Sequence, residues 1–464
     1  MKSIAWPDGF KRLLLLTKRK GDGEGLAAER ERRALLTAIS AATAKLITVA
    51  TMLVSVPLTL HYLGPERYGL WMAMSSAVYV LGFADLGIGS ALINMVADAH
   101  GRDDRSGVRA AVSTATLLFV ALALVILTAF SVVYAFAPWS EWFNVQSEAA
   151  RAEVGPGLAV LVACFALSIP LSVTPRVQTA MQEGYKSNLW AAFGSLSALA
   201  GILLAIRLQA GLPWLALAFA GAPQVAGLVN AVILFAGKGR DIAPSPRFAS
   251  RSLAMRVVGA GTAFLGIQIV VAINVASDNL IIARTLGPQA VTAFAVPERM
   301  FGLIPMLIHL ALQPLWPAYT EALARRDHSW ISRTLRRSFL MALLASVIGL
   351  VVLVAFGRWI VDLWTGGSVI PSFGLLAGLG LWKLVDSIEY ALTVFLASAG
   401  ALRPQLIFGM LAMAAAILGK VYLLPMNGVE IVPWVSGLAR ITLSLFPLYI
   451  FAKTVANEAR DRLK

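Results

Sequence analysis

Residues 62 to 94 read YLGPERYGLWMAMSSAVYVLGFADLGIGSALIN. A short Gly-Pro turn separates two apolar segments, and one carboxylate, Asp85, lies deep inside the second. A carboxylate at the centre of a membrane helix costs about 2.5–3.5 kcal/mol on insertion scales. A segment that keeps one is expected to turn it toward a protein interior or a wet cavity. This stretch therefore reads as part of a transport pathway and not as a plain anchor.

The rest of the chain agrees with a membrane setting. Of its 464 residues 58% are hydrophobic and 14% charged, with a mean hydropathy of +0.75. Soluble domains are about 45–50% apolar and 25% charged. The formal charge of +14 would suggest nucleic acid if the basic residues sat on soluble domains, but they fall mostly in short connections between apolar runs, so no nucleic-acid partner is expected. The single cysteine, Cys164, excludes a disulfide within the chain. No cleavable signal peptide is evident, because Leu13 to Leu16 is too short for an apolar signal core.

A membrane helix needs about 20 mainly apolar residues. Twelve segments qualify: 35–60, 69–96, 108–136, 157–179, 189–206, 213–236, 253–283, 291–319, 335–364, 369–399, 405–424 and 431–451. The expected fold class is an all-α polytopic membrane protein of about twelve transmembrane helices in two pseudo-symmetric six-helix lobes. Its divisions are a basic cytoplasmic tail (1–34), an N-terminal lobe (35–236), a cytoplasmic linker (237–252), a C-terminal lobe (253–452) and a second tail (453–464). With the N-terminus inside, one set of connections holds few basic residues, among them Arg67, Arg284 and Lys420, while the other holds dense clusters such as Arg333, Arg336 and Arg337. That bias places both termini in the cytoplasm. The longest external connection, about 137–156, is too short for a folded domain.

The two lobes read as copies. YLGPERYGLW (62–71) aligns with TLGPQAVTAF (285–294), and the same offset brings Arg102 and Asp104 onto Arg325 and Asp327. More loosely, MQEGYKSNL from Met181 aligns with SAGALRPQL from Ser398. An even number of spans in each half relates the halves by an axis along the membrane normal.

Ionisable residues within the spans are the candidate site. Lys45, Arg299, Lys383 and Arg440 each lie roughly ten or more residues into a helix, which at 1.5 Å per residue sets all four near the midplane. Four cations at one depth point to an anionic ligand. Asp85, Asp278, Glu298, Asp386 and Glu389 are available as partners or coupling groups, with His309 on the same stripe as Glu298. A second stripe runs Pro433, Ser436, Arg440, Ser444 and Pro447. The bland readings stand beside these. Lys383 and Asp386, three apart, can neutralise one another; Asp278 can bond Arg284; Asp85 can be a structural carboxylate beside Gly87 and Gly89; His309 can be a hydrogen-bonded core residue. Glu298 and Arg299, being adjacent, point about 100° apart and need separate partners.

There is no G-x-x-x-x-G-K-[ST] and no metal-spaced His/Cys set, so no ATP site, metal or cofactor is expected, although a coupling ion, Na⁺ or H⁺, is open. Leu63 to Trp71 followed by Asp85-Leu86-Gly87 resembles the first two helices of Wzx-type oligosaccharide-lipid flippases of the multidrug/oligosaccharidyl-lipid/polysaccharide exporter superfamily. That resemblance implies two facing lobes in the inner membrane, moving a polyprenyl-pyrophosphate-linked glycan by alternating access, with no enzymatic step. It also implies contact with membrane lipids and with other polysaccharide assembly proteins. The alternatives are a cation-coupled multidrug exporter of the same superfamily and a membrane-embedded polysaccharide polymerase or ligase. An exporter of organic cations should favour carboxylates and aromatics in its cavity, and a polymerase should use a larger external loop.

Overall fold

The computed structural model describes residues 26–81, 87–255, 276–313, 315–325 and 327–461. The described residues are almost entirely helical, with no strand among them. We label the helices α1 (Leu26–Leu81), α2 (Ile88–Gly101), α3 (Arg105–Phe136), α4 (Trp139–Trp142), α5 (Glu148–Leu171), α6 (Val173–Ala180), α7 (Gly184–Arg207) and α8 (Leu212–Ala236). Residues 276–286 are helical. Next come α9 (Pro288–Leu312), α10 (Leu315–Ala324), α11 (His328–Thr365), α12 (Phe373–Ser398), α13 (Leu402–Asn427), α14 (Ile431–Arg440) and α15 (Phe446–Asp461). A π-helical turn, Ile441–Leu445, joins α14 to α15.

Eight helical stretches among the described residues are long and apolar enough to cross a membrane. The count falls short of the expected twelve for identifiable reasons. The first span and the start of the second run together through α1, and the last two form one stretch, 403–454. α12 is long enough but carries Lys383, Asp386 and Glu389. The expected seventh span lies largely outside the described residues. The outward faces are apolar: α11 exposes Leu344, Ile348, Val351, Phe356 and Trp359. A patch of that kind in water would drive aggregation, whereas lipid solvates it. The protein is an all-α, multi-pass membrane protein.

Its helices divide into two compact units, the first from 26–55, 87–135 and 160–255, the second from 56–81, 136–159 and 276–461. In the first, Leu92 and Val96 of α2, Val112 and Phe119 of α3, and Val177 of α6 form a buried core that also takes up Ile242. The connection carrying Ile242 is tied down along the start of α3. Ser113 and Thr114 hydroxyls accept from the Ser245 and Ser250 amides at 3.1 and 2.9 Å, and the Arg109 guanidinium sits 3.9 Å from the centre of the Phe248 ring. In the second unit, Tyr319, Ile331, Leu392, Phe395, Leu448 and Ala452 form the counterpart core.

The aligned segments share local structure. Gly64 (φ 74°, ψ 167°) and Gly287 (φ 87°, ψ 169°) adopt the same left-handed backbone, each followed by a proline that opens a helix. At the same offset Asp104 and Asp327 make the same cap: Asp104 accepts from Ser106 Oγ and the Gly107 amide at 2.7 and 2.8 Å, Asp327 from Ser329 Oγ and the Trp330 amide at 2.9 and 3.0 Å. The later pair needs a one-residue correction. Gln182 (φ 59°) matches Gly400 (φ 73°), where the loose alignment set Gln182 against Ala399. Both end a helix in the left-handed conformation, and Glu183 and Ala401 amides bond back to Gln178 and Leu396 carbonyls.

Candidate functional site

The Gly-Pro turn at Gly64 ends the first stretch of α1 and starts the second, which packs closely on α9 in the second unit. The Thr292 hydroxyl donates to the Pro65 carbonyl at 2.5 Å. A Cβ on Gly69 would lie 1.6 Å from the Pro288 carbonyl oxygen, so the approach requires glycine there. Tyr68, Met72, Ser75, Ser76 and Tyr79, spaced three and four apart, share one face of α1. That face meets Arg299 of α9 and Asn279: Arg299 donates to Tyr68 Oη at 3.3 Å and approaches Met72 Sδ at 2.9 Å, and Asn279 donates to Ser76 Oγ at 2.9 Å.

Ion pairs cross between helices of this unit: besides Arg67 of α1 with Glu153 of α5 at 2.6 Å, three join α12, α13 and α14 to their neighbours. Lys383 of α12 pairs with Glu298 of α9, Lys420 of α13 with Asp278, and Arg440 of α14 with Asp386 of α12. Arg440 also lies 3.6 Å from Glu389, whose other oxygen accepts from Ser444 in the π-helical turn at 2.7 Å. Lys383 and Asp386 therefore do not neutralise each other; each reaches a different helix. Asp278 takes Lys420 and not Arg284, which donates instead to the Glu141 carbonyl at 2.5 Å. Lys420, read from the sequence as a loop residue, is 3% exposed inside α13. Its position four residues before the end of an apolar run was the signal for burial.

Arg299 is different. It makes no ion pair with a described residue, and it lines a cavity of about 280 Å³ together with Asp278, Asn279, Glu298, Tyr79 and Trp382. Trp382 also borders a smaller cavity of about 40 Å³ that holds Arg440, Glu389 and Ser444. Among the described residues of this network four cations face four carboxylates, but unevenly: Arg440 draws two carboxylates, and Arg299 contacts a phenol and a thioether. In a low-dielectric site such a guanidinium is a strong anion contact.

The remaining candidates fall elsewhere. His309 stacks on Tyr390 with ring centres 3.7 Å apart, and its Nε2 is buried without a hydrogen bond among the described residues. From the stripe, Pro433, Arg440 and Ser444 meet α12. Gly374 and Gly378 admit Glu430 and Trp434 against α12, a packing role. Asp85 lies outside the described residues. Lys45 is exposed on the first unit, with no ion pair to a described residue. That unit has its own cavity of about 240 Å³, lined by uncharged residues including Ser168, Ser172, Trp190, Gln224 and Asn230.

The sequence reading missed Asn279, Ser75 and Trp382 as cavity residues. Their types are unremarkable in an apolar chain; only adjacency to Asp278 and Lys383 marked two of them.

Comparison with known proteins gives the family and the fold. The family model for polysaccharide biosynthesis proteins matches residues 35–323. A Salmonella typhi protein provisionally named an O-antigen transporter is 24% identical over 290 residues, 62% of this chain and 65% of that one, so the match spans less than two-thirds of the relative's length. Among solved structures, an inward-facing multidrug resistance MATE family transporter of the MOP superfamily superposes with a TM-score of 0.76 at 14% identity, covering 91% of this chain and 99% of that chain. The lipid II flippase MurJ in an inward closed conformation gives 0.70 at 11% identity, covering 92% and 90%. The fold is thus that of this transporter superfamily, and the chain belongs to the polysaccharide biosynthesis protein family.

Proposed function

We propose that this protein is a flippase that moves a polyprenyl-pyrophosphate-linked oligosaccharide across the inner membrane by alternating access, for surface or exopolysaccharide synthesis. In this reading both termini are cytoplasmic, and the halves 35–236 and 253–452 act as the two moving lobes. The observation that carries it is Arg299, which faces the cavity and makes no ion pair with a described residue. The ligand's negative charge supplies that missing partner. Lys383 and Arg440, already paired with acids, hold the helices that shape the cavity.

The test is complementation of glycan export in cells lacking this protein. Arg299→Ala should lower export at least about tenfold with normal protein in the membrane, since a charge-assisted contact is worth roughly 1.5–3 kcal/mol. Arg299→Lys should recover part of it. Wild-type export by Arg299→Ala would end the cationic-cavity reading. A second reading, a cation-coupled multidrug exporter, is favoured by the carboxylates Asp278 and Glu298 and the aromatics Tyr79, Phe294 and Trp382 on the same wall. Drug resistance that depends on this protein, with glycan export intact in its absence, would select that reading.

A further inference from the structure

The cavity around Arg299 carries more than a cation. Asp278 and Glu298 each commit one oxygen to a lysine, and both residues line the cavity. The amide oxygen of Asn279 and the hydroxyl of Ser75 are buried without a hydrogen-bond partner among the described residues, and both residues line the cavity. Orphaned buried polar atoms are costly, about 1–3 kcal/mol each, so two on one wall point to a bound group that satisfies them. Most of these atoms are acceptors. They call for donors, and two carboxylates in the wall repel a phosphate seated against them.

Trp382 adds a second requirement. The Lys383 ammonium lies 4.0 Å from its ring centre and is itself held by Glu298. That contact braces the indole, which borders the cavity. A fixed aromatic plane beside hydroxyl-seeking oxygens suits a ligand with an apolar C–H face and a rim of hydroxyl groups. At about 280 Å³ the space falls just under the ~300–1,000 Å³ of drug-sized sites; it fits one ring, not an oligosaccharide.

We infer that this cavity takes a single sugar ring of the transported glycan, stacked on Trp382, with its hydroxyls donating to Asp278, Glu298 and Asn279 and with Arg299 on the adjoining anionic group. The inference rests on the flippase reading and assigns Trp382 and Asn279 to substrate selection.

The experiment measures binding to the purified full chain in detergent by thermophoresis. The probes are a short-chain isoprenyl pyrophosphate, alone and carrying one hexose or N-acetylhexosamine from a small panel. Wild-type protein should bind at least one sugar-bearing probe about tenfold tighter than the bare pyrophosphate. Trp382→Ala should lose about that factor for the sugar-bearing probe and leave the bare one within twofold, and Trp382→Phe should keep most of it. If wild-type protein binds the bare pyrophosphate as tightly as every sugar-bearing probe, or Trp382→Ala weakens both alike, the sugar-ring site is wrong while the flippase reading stands. If it binds none of the probes, both fall.

Discussion

The first unit joins its interior helices with a neutral contact: Gln178 of α6 and Asn230 of α8 exchange two amide hydrogen bonds at 2.7 and 3.1 Å, both residues nearly fully buried. The second unit does the same work with charge, setting Lys383 on Glu298, Lys420 on Asp278 and Arg440 on Asp386. Lipid offers helices little hydrophobic reason to associate, so in both units polar contacts help specify which faces meet. The two solutions have different consequences. An amide pair is self-contained once made. An ionic network can be matched in number and still leave one member with no carboxylate partner among the described residues, as at Arg299 beside its cavity.

The contrast can be broken by mutation, most sharply at Lys420. With both side chains under a tenth exposed, Lys420→Met strands the Asp278 carboxylate and should cost about 3–5 kcal/mol in detergent unfolding, while adding Asp278→Leu should return most of it. Gln178→Leu in the first unit should cost less, about 1–3 kcal/mol, because the orphan it leaves is a neutral amide; the double change with Asn230→Leu should be close to neutral. Equal losses at Lys420 and Gln178 would erase the distinction drawn between the units. The smallest effect is at the helix cap. The Gly107 amide and the Ser106 hydroxyl hold the Asp104 carboxyl below its ordinary range. A lowered carboxyl stabilises at pH above its unfolded value and ceases to as pH falls through its folded one. The protection factor of the Gly107 amide, its exchange rate relative to an unstructured amide at the same pH, should hold at neutral pH and fall only below the usual carboxylate range; protection that fades nearer neutrality would show the cap is weaker than drawn.

Much of this was legible beforehand. Spacing alone put Arg440, Ser444 and Pro433 on one face, and the Gly-Pro repeat and the Asp104/Asp327 offset marked out segments that share local structure, although the caps themselves were not read. Which acid each cation meets was not legible, because that choice is made between helices far apart in sequence: Lys383 had Asp386 three residues away and took Glu298 instead. Lys420 was overlooked because counting charges by connection treats any lysine near the end of a span as a loop residue, whereas a partner within reach can draw it inward. Arg299 was picked out by its depth in a span, and its adjacency to Glu298 said that the two reach different partners, a local rule that survives folding.

The π-helical turn at Ile441–Leu445 works as a phase shifter. Each residue of an α-helix advances about 100°, and a π turn absorbs one extra residue into the coil. Upstream of it the chain must aim Arg440 at α12; downstream it must seat Leu448 and Ala452 beside Tyr319 and Phe395. A uniform coil ties those two headings to one fixed angle. The wider turn uncouples them, so that the ionic contact and the apolar seat can each keep the bearing its neighbours require.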